Sequence, residues 1–151
     1  MRVQDVMTEG VKTIAPAAAA EDAWNTMRVN RIHHLVVTKG QRVVGVLSDR
    51  DAGGRRGASV RMNSVVADLM TAPAVTVAPT MTVRQAANVM RGRSIGCLVV
   101  LESGHAIGIV TVSDLLELVG RGLDRGAVTT TRWTLSHRAP HRKSKGVVAA
   151  W

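Results

Sequence analysis

Hydrophobic and polar positions along the chain follow two rhythms that each occur twice. Leu35-Val36-Val37 and residues 43–47 are β-branched runs broken at Lys39-Gly40-Gln41, which predicts two strands joined by a turn. Residues 98–101 and 107–110 predict a second such pair around Ser103-Gly104. Ahead of each pair, apolar residues at helical spacing predict a helix. The stripe is Ala20, Ala23, Trp24 and Met27 in the first case, and Val83, Ala86, Ala87 and Met90 in the second, where Thr82 is placed to cap it. Thr13-Ile14-Ala15-Pro16 and Thr76-Val77-Ala78-Pro79 predict brief extended segments, because a residue before proline is pushed out of helical dihedrals. A further helix is expected to open at Ser48 and at Thr111. Leu115, Leu116, Leu118 and Val119 continue it after Thr111, whereas Gly53-Gly54 should cut it short or fray it after Ser48.

The doubling is a sequence repeat. Position n matches position n+63 without a gap, with 17 identities across the 49 positions from 3 to 51, among them Asp5/Asp68, Met7/Met70, Pro16/Pro79, Met27/Met90, Gly45/Gly108 and Asp51/Asp114. Two copies of this size predict a pseudo-twofold pair closing on a shared core, since open solenoids use shorter periods and at least three repeats. The fold class is thus α/β (α+β), with two β-α-β-β-α repeats at residues 1–57 and 65–120, a linker at 58–64 and a tail at 121–151.

The ordered set Val-x-Asp-hydrophobic-Met-Thr, Thr-x-Ala-Pro, helix, Ile-x-x-Leu-Val-Val, Gly-x-x-Ser/Thr-x-x-Asp resembles the cystathionine-β-synthase (CBS) domain, present here as a tandem pair over residues 1 to 120. The resemblance implies a module that regulates rather than catalyses, and that holds an adenosine compound such as AMP, ADP, ATP, NAD or S-adenosylmethionine in each cleft between the copies. The family's ribose motif maps onto Gly45 to Asp51 and onto Gly108 to Asp114. His34 takes the family's phosphate-facing place at the head of its strand. In related modules each ribose motif faces the opening segment of the opposite repeat. Ala67 and Ala72 would then border the first cleft, and Gln4 and Glu9 the second. The resemblance also implies a homodimer, and Trp24 is either core or an anchor for it.

The motif's chemistry can be argued on its own terms. A carboxylate offers only acceptors at neutral pH, so Asp51 or Asp114 can receive both hydroxyls of a ribose. Ser48 or Thr111, three residues earlier at a helix mouth, lies where free N–H groups and the helix dipole favour a phosphate. Arg50 adds a cation in the first copy, where the second has Val112 and Ser113, with Gly96 and Cys97 opposite His33 and His34. Two unlike clefts are expected, the one with Asp51 better suited to phosphates, since Glu9 would repel a phosphate at the other. The same Ser/Thr-x-x-Asp spacing is also a capping box that only satisfies backbone donors. His33 and His34 point to opposite faces of a strand and match no metal-ligand spacing, so no metal is expected. Cys97 reads as a small core residue, and Arg55, Arg56 and Arg61 as solvated charges or phosphate contacts.

Composition narrows the function. Three Trp and no Phe or Tyr leave the core to aliphatic residues and Met, and exclude aromatic base-stacking platforms. One cysteine allows no internal disulfide, no apolar run reaches the length of a membrane helix, and the first residues lack a secretory signal, so a cytoplasmic protein is expected. Nucleophile-elbow, P-loop and zinc-protease motifs are missing, which argues against an enzyme. Of the net charge of +9, residues 1–120 carry 13 basic against 10 acidic side chains, and residues 121–151 carry 7 against 1. That basic tail, with Trp133 and Leu135 in it, could clasp the domain or attract nucleic acid or an acidic partner by charge. The function expected is a stand-alone regulatory module sensing an adenosine nucleotide and signalling to a protein target or to its own dimer. The rivals are an empty interaction scaffold and a nucleic-acid-associated protein working through its tail.

Overall fold

The computed structural model describes residues 1–122; the expectations for the rest of the tail, Trp133 and Leu135 included, lie outside the described residues. In chain order the elements are α1 (Val3–Val6), β1 (Thr8–Glu9), β2 (Thr13–Ile14), α2 (Ala20–Asn30), β3 (His34–Lys39), β4 (Arg42–Ser48), α3 (Ala58–Arg61), α4 (Val66–Leu69), β5 (Thr76–Val77), α5 (Val83–Arg93), β6 (Cys97–Glu102), β7 (His105–Thr111) and α6 (Val112–Gly120). They form two sheets, β2-β3-β4 and β1-β7-β6-β5, in a mixed α/β architecture. The central hairpins repeat residue for residue, His34 opposite Ser48 as Cys97 is opposite Thr111, with a register shift after Val37 and after Val100.

Both helical stripes are core. Ala20, Ala23, Trp24 and Met27 on α2 are buried, as are Ala86 and Met90 on α5, while Val83 and Ala87 are half-buried. Trp24 is therefore a core residue and not a surface anchor. Thr82 caps α5 as predicted, its hydroxyl accepting the Gln85 N–H at 3.2 Å. Ala19 stands at the same place before α2 and has no side chain that can do so.

The opening segments, which local patterning left without structure, are exchanged between the repeats. Val3 N–H donates to Met81 O at 2.8 Å and Gln4 N–H to Pro79 O at 3.0 Å; Val66 N–H donates to Ala18 O and Ala67 N–H to Pro16 O, both at 2.9 Å. Each bond is the other's copy at the offset of 63. Asp5 and Asp68, identical in the repeat, start these one-turn helices by accepting the N–H of Arg2 and Val65 at 2.7 and 2.9 Å. Val66, Leu69 and Met70 then pack into the core of the first repeat, and Val3, Val6 and Met7 into that of the second. Val36, Val46 and Val99, on the opposite face of the strands, make a third cluster where the two sheets meet.

The segment after Ser48 departs most from the repeat. Where the second copy has α6, residues 49–56 make only turns, as Gly53-Gly54 foretold; Ala52 N–H reaches Ser48 O at 3.1 Å and Gly54 N–H reaches Asp49 O at 2.9 Å. A short helix, α3, follows within the expected linker. Arg61, at its end, is a correction: it is neither solvated nor a phosphate contact but buried, at 4% exposure. Its guanidinium donates to Ala52 O at 2.8 Å, Gly54 O at 2.7 Å and Glu21 Oε2 at 2.9 Å, and lies 4.3 Å from the centre of the Trp24 ring. Arg55 and Arg56 are exposed. Among the described residues, no helix is long and apolar enough to cross a membrane.

Candidate functional site

Strand alternation assigns the two histidines to opposite faces. Leu35, Val37 and Leu47 turn towards α2, and Val36 and Val46 towards the other sheet. His34 and Ser48 share the inter-sheet face; His33 and Asp49 share the helix face, where His33 Nδ1 and Asp49 Oδ2 are 2.8 Å apart.

Ser48 and Asp51 close a reciprocal box: Asp51 N–H donates to Ser48 Oγ at 2.9 Å and Ser48 N–H to Asp51 Oδ2 at 3.2 Å. Thr111 and Asp114 do the same, at 3.3 Å for Asp114 N–H to Thr111 Oγ1 and 2.8 Å for Thr111 N–H to Asp114 Oδ2. The capping reading of the motif is therefore realised at both places. It occupies one carboxylate oxygen of each aspartate and leaves Oδ1 without a hydrogen bond among the described residues.

The glycine of each motif has a cause that spacing could not reveal. Thr71 pairs with Val46 across β4, and Thr8 with Ile109 across β7, so the exchanged segment of one repeat runs over the glycine of the other. A Cβ at Gly45 would lie 2.8 Å from both Thr71 O and Met70 Sδ; at Gly108 it would lie 2.6 Å from Met7 Sδ and 3.0 Å from Thr8 O. Glycine lets the two chains approach this closely.

The sites differ in their surroundings. Gln4, Glu9 and Glu102 line a hollow of about 450 Å³ floored by Met7, Pro79 and Ile107, beside the strand that leads to Thr111. Asp114 and Thr111 do not line it. At the first site Arg50, Ala67 and Ala72 are exposed, and Ser113 is exposed at the second. His34 and Asp114, from different repeats, are close enough to influence each other's titration.

Burial holds the His34 imidazole below its ordinary value of 6.5, against the opposing pull of Asp49, Asp51 and Asp114. Burial likewise raises the Asp114 carboxyl above 3.8 and pushes the Cys97 thiol up to about 12, which keeps that thiol protonated at neutral pH. For His34 the sign is definite. The folded chain binds this proton less tightly than the unfolded chain, so the contribution is present above 6.5 and is lost as pH falls through the depressed value. His34→Gln should flatten the loss of stability on acidification below 6.5, and the His34 ring protons should titrate with a midpoint under 6.5 by NMR. A midpoint above 6.5 would contradict the burial argument.

Among the described residues, no three His, Cys, Asp or Glu side chains are grouped to hold a metal. Comparison with known proteins places the architecture. The sequence profile of the CBS domain matches residues 3–52 and 66–121. The chain is 34% identical over 115 residues to inosine-5'-monophosphate dehydrogenase of Korarchaeum cryptofilum, covering 76% of this chain but 23% of that enzyme. It is 28% identical to the CBS domain-containing protein YhcV of Bacillus subtilis, covering 75% of this chain and 81% of that one. Among solved structures, the CBS domain pair of protein MJ0100, in complex with 5'-methylthioadenosine and S-adenosyl-L-methionine, superposes with a TM-score of 0.72 at 21% identity, over 81% of this chain and 98% of that one. A hexameric CBS-CP12 protein from bloom-forming cyanobacteria superposes at 0.70 and 26% identity, over 79% and 70%.

Proposed function

From the premise that the chain belongs to the CBS domain family and carries its unit twice, we propose that it is a regulatory module binding an adenosine-type ligand between the repeats. One observation carries the reading. At each motif a carboxylate oxygen, Asp51 Oδ1 or Asp114 Oδ1, stays without a hydrogen bond among the described residues, five positions beyond the residue, Val46 or Ile109, at which the opposite repeat's opening segment pairs with the strand. The ligands of the MJ0100 pair support the adenosyl class, and YhcV, of which the chain covers 81%, supports a module whose domains are CBS units.

The two clefts differ in charge. Arg50 flanks the first, where a phosphate is tolerated; Glu9 and Glu102 line the hollow near the second, where an adenosyl ligand without phosphates meets less repulsion. Ser48, Arg50, Asp51, His34, Ala67 and Ala72 would serve the first cleft, and Thr111, Ser113, Asp114 and Gln4 the second. A cytoplasmic setting and an unidentified protein target belong to the same reading.

A thermal-shift series with AMP, ATP, NAD and S-adenosylmethionine tests it. A ligand at 100 times its Kd should add about 2.7 kcal/mol to the stability of the folded state. Asp51→Ala should remove roughly 1.5 to 3 kcal/mol of binding per charge-assisted bond lost, while costing the empty protein only about 1 kcal/mol for the cap. No shift with any of the four compounds would leave the closed boxes as caps of an empty scaffold, the second reading that their geometry favours.

A homodimer is part of the proposal, and α6 supports it. Val112, Leu116 and Val119, at 41, 66 and 60% exposure, fall at spacings of four and three along one side of a helix with no buried residue. Sedimentation velocity should give twice the 16.1 kDa chain mass. A monomer at micromolar concentration would remove the dimer from the reading.

A further inference from the structure

Where the second repeat has α6 the first has only turns, and a hollow lies beside them on the α2 face of the β2-β3-β4 sheet. At the offset of 63, Leu115, Leu116, Leu118 and Val119 of α6 correspond to Ala52, Gly53, Arg55 and Arg56. In the second repeat Leu115 packs against the core that holds Met90. In the first the smaller Ala52 takes that place in the core, and a hollow of about 320 Å³ lies beside Trp24 and Met27. Arg28 and Arg31, at the end of α2, and Arg55, from the turn that replaced the helix, converge on its rim. All three are exposed, and none makes an ion pair among the described residues. One carboxylate lines the hollow, Asp49, and it is held by His33. Arg61 fixes the floor from beneath by bonding Gly54 O and stacking on Trp24.

We propose that this hollow is a second ligand site, independent of the adenosine clefts, which binds the di- or triphosphate group of a small molecule. Three guanidiniums against one histidine-paired carboxylate leave a surplus of fork-shaped donors, and adjacent phosphates present oxygens that match them two at a time. The volume lies at the small end of ligand sites, which run from about 300 to 1,000 Å³. It suits a compact anion better than a nucleic-acid backbone, which needs an extended track. The second repeat serves as an internal control: Ser94 and Leu118 stand where Arg31 and Arg55 are, and α6 fills the space.

Calorimetric titration of the full chain with inorganic triphosphate tests the site. Arg28→Gln/Arg31→Gln/Arg55→Gln should weaken binding at least tenfold and flatten its salt dependence, with circular dichroism confirming the fold, while Asp51→Ala should leave it unchanged. The Trp24 indole N–H resonance should move on titration. Binding that survives the triple substitution, or that leaves the Trp24 resonance still, belongs elsewhere on the basic chain and overturns the proposal; loss in Asp51→Ala with none in the triple variant overturns it as well. ATP compared with inorganic triphosphate in the Asp51→Ala/Asp114→Ala background, where both adenosine clefts are weakened, separates the sources. Tighter ATP binding supports a nucleotide's phosphate chain, and equal binding supports phosphate alone.

Discussion

Replacing Arg61 by alanine should lower the unfolding free energy by about 3 kcal/mol, from hydrogen bonds to a charged group at roughly 1.5 to 3 kcal/mol each and a cation–π contact of about 0.5 to 1. The chain offers the reason. Without a helix after Ser48, the Ala52 carbonyl accepts no backbone N–H among the described residues and Gly54 O accepts only the Gly57 N–H at 3.2 Å, and the guanidinium bonds both carbonyls. Glu21 is 53% exposed, so its ion pair with Arg61 adds less than the two carbonyls and the Trp24 face. Glu21→Gln should accordingly cost under about 1 kcal/mol, in the range of exposed pairs. Arg61→Lys should recover only part of the loss, since a single ammonium cannot reach two carbonyls and a carboxylate in the guanidinium's fixed fork. Urea unfolding of the three variants would decide it. A loss below 1 kcal/mol for Arg61→Ala would return this residue to the solvated charges it resembles in the sequence.

The second large effect is expected at Gly45. An added methyl would meet Thr71 O at 2.8 Å, and that carbonyl is backbone that accepts the Val46 N–H at 3.0 Å. Relief requires residues 70–72 to lift from β4, which breaks the paired bonds between Val46 and Thr71 and loosens Leu69 and Met70 from the first core. Overpacking of this kind costs about 1 to 3 kcal/mol, and Gly45→Ala should fall in the upper half of that range. Gly108→Ala should cost less, although its nearest contact is shorter. That contact is the Met7 sulfur, the end of a flexible side chain, and the backbone carbonyl of Thr8 stands off at 3.0 Å. Hydrogen exchange should show Val46 and Thr71 amides losing protection together in Gly45→Ala. Equal costs at the two glycines would mean that the exchanged segments yield alike, against the geometry.

Both effects arise where sequence and structure part company. Arg61 sits in a stretch of glycine and charge that reads as a linker, because a run such as Gly53 to Arg61 has no apolar periodicity. Its burial depends on Trp24, some 37 positions earlier, and on the carbonyls of Ala52 and Gly54 in the turns that stand where the second repeat has a helix. The glycines could be seen as part of a motif, yet nothing local says what crosses them. The hollow beside Arg28, Arg31 and Arg55 is a comparable case. Its trace in the sequence was the mismatch of Ala52, Gly53 and Arg55 with Leu115, Leu116 and Leu118, which only the packing of α6 turns into a volume.

By itself the sequence determined the repeat, the two amphipathic helices, the central hairpins and the weak helix after Ser48, since each follows from the spacing of apolar residues and glycines within a dozen positions. The family resemblance set each opening segment against the opposite repeat, but tertiary structure alone decided how that segment packs there, why Gly45 and Gly108 carry no side chain, and which face of the first sheet lies open. Those outcomes come from backbone groups 25 or more positions apart pairing in place of water, such as Val46 N–H with Thr71 O and Gln4 N–H with Pro79 O, and no local periodicity records such a pairing.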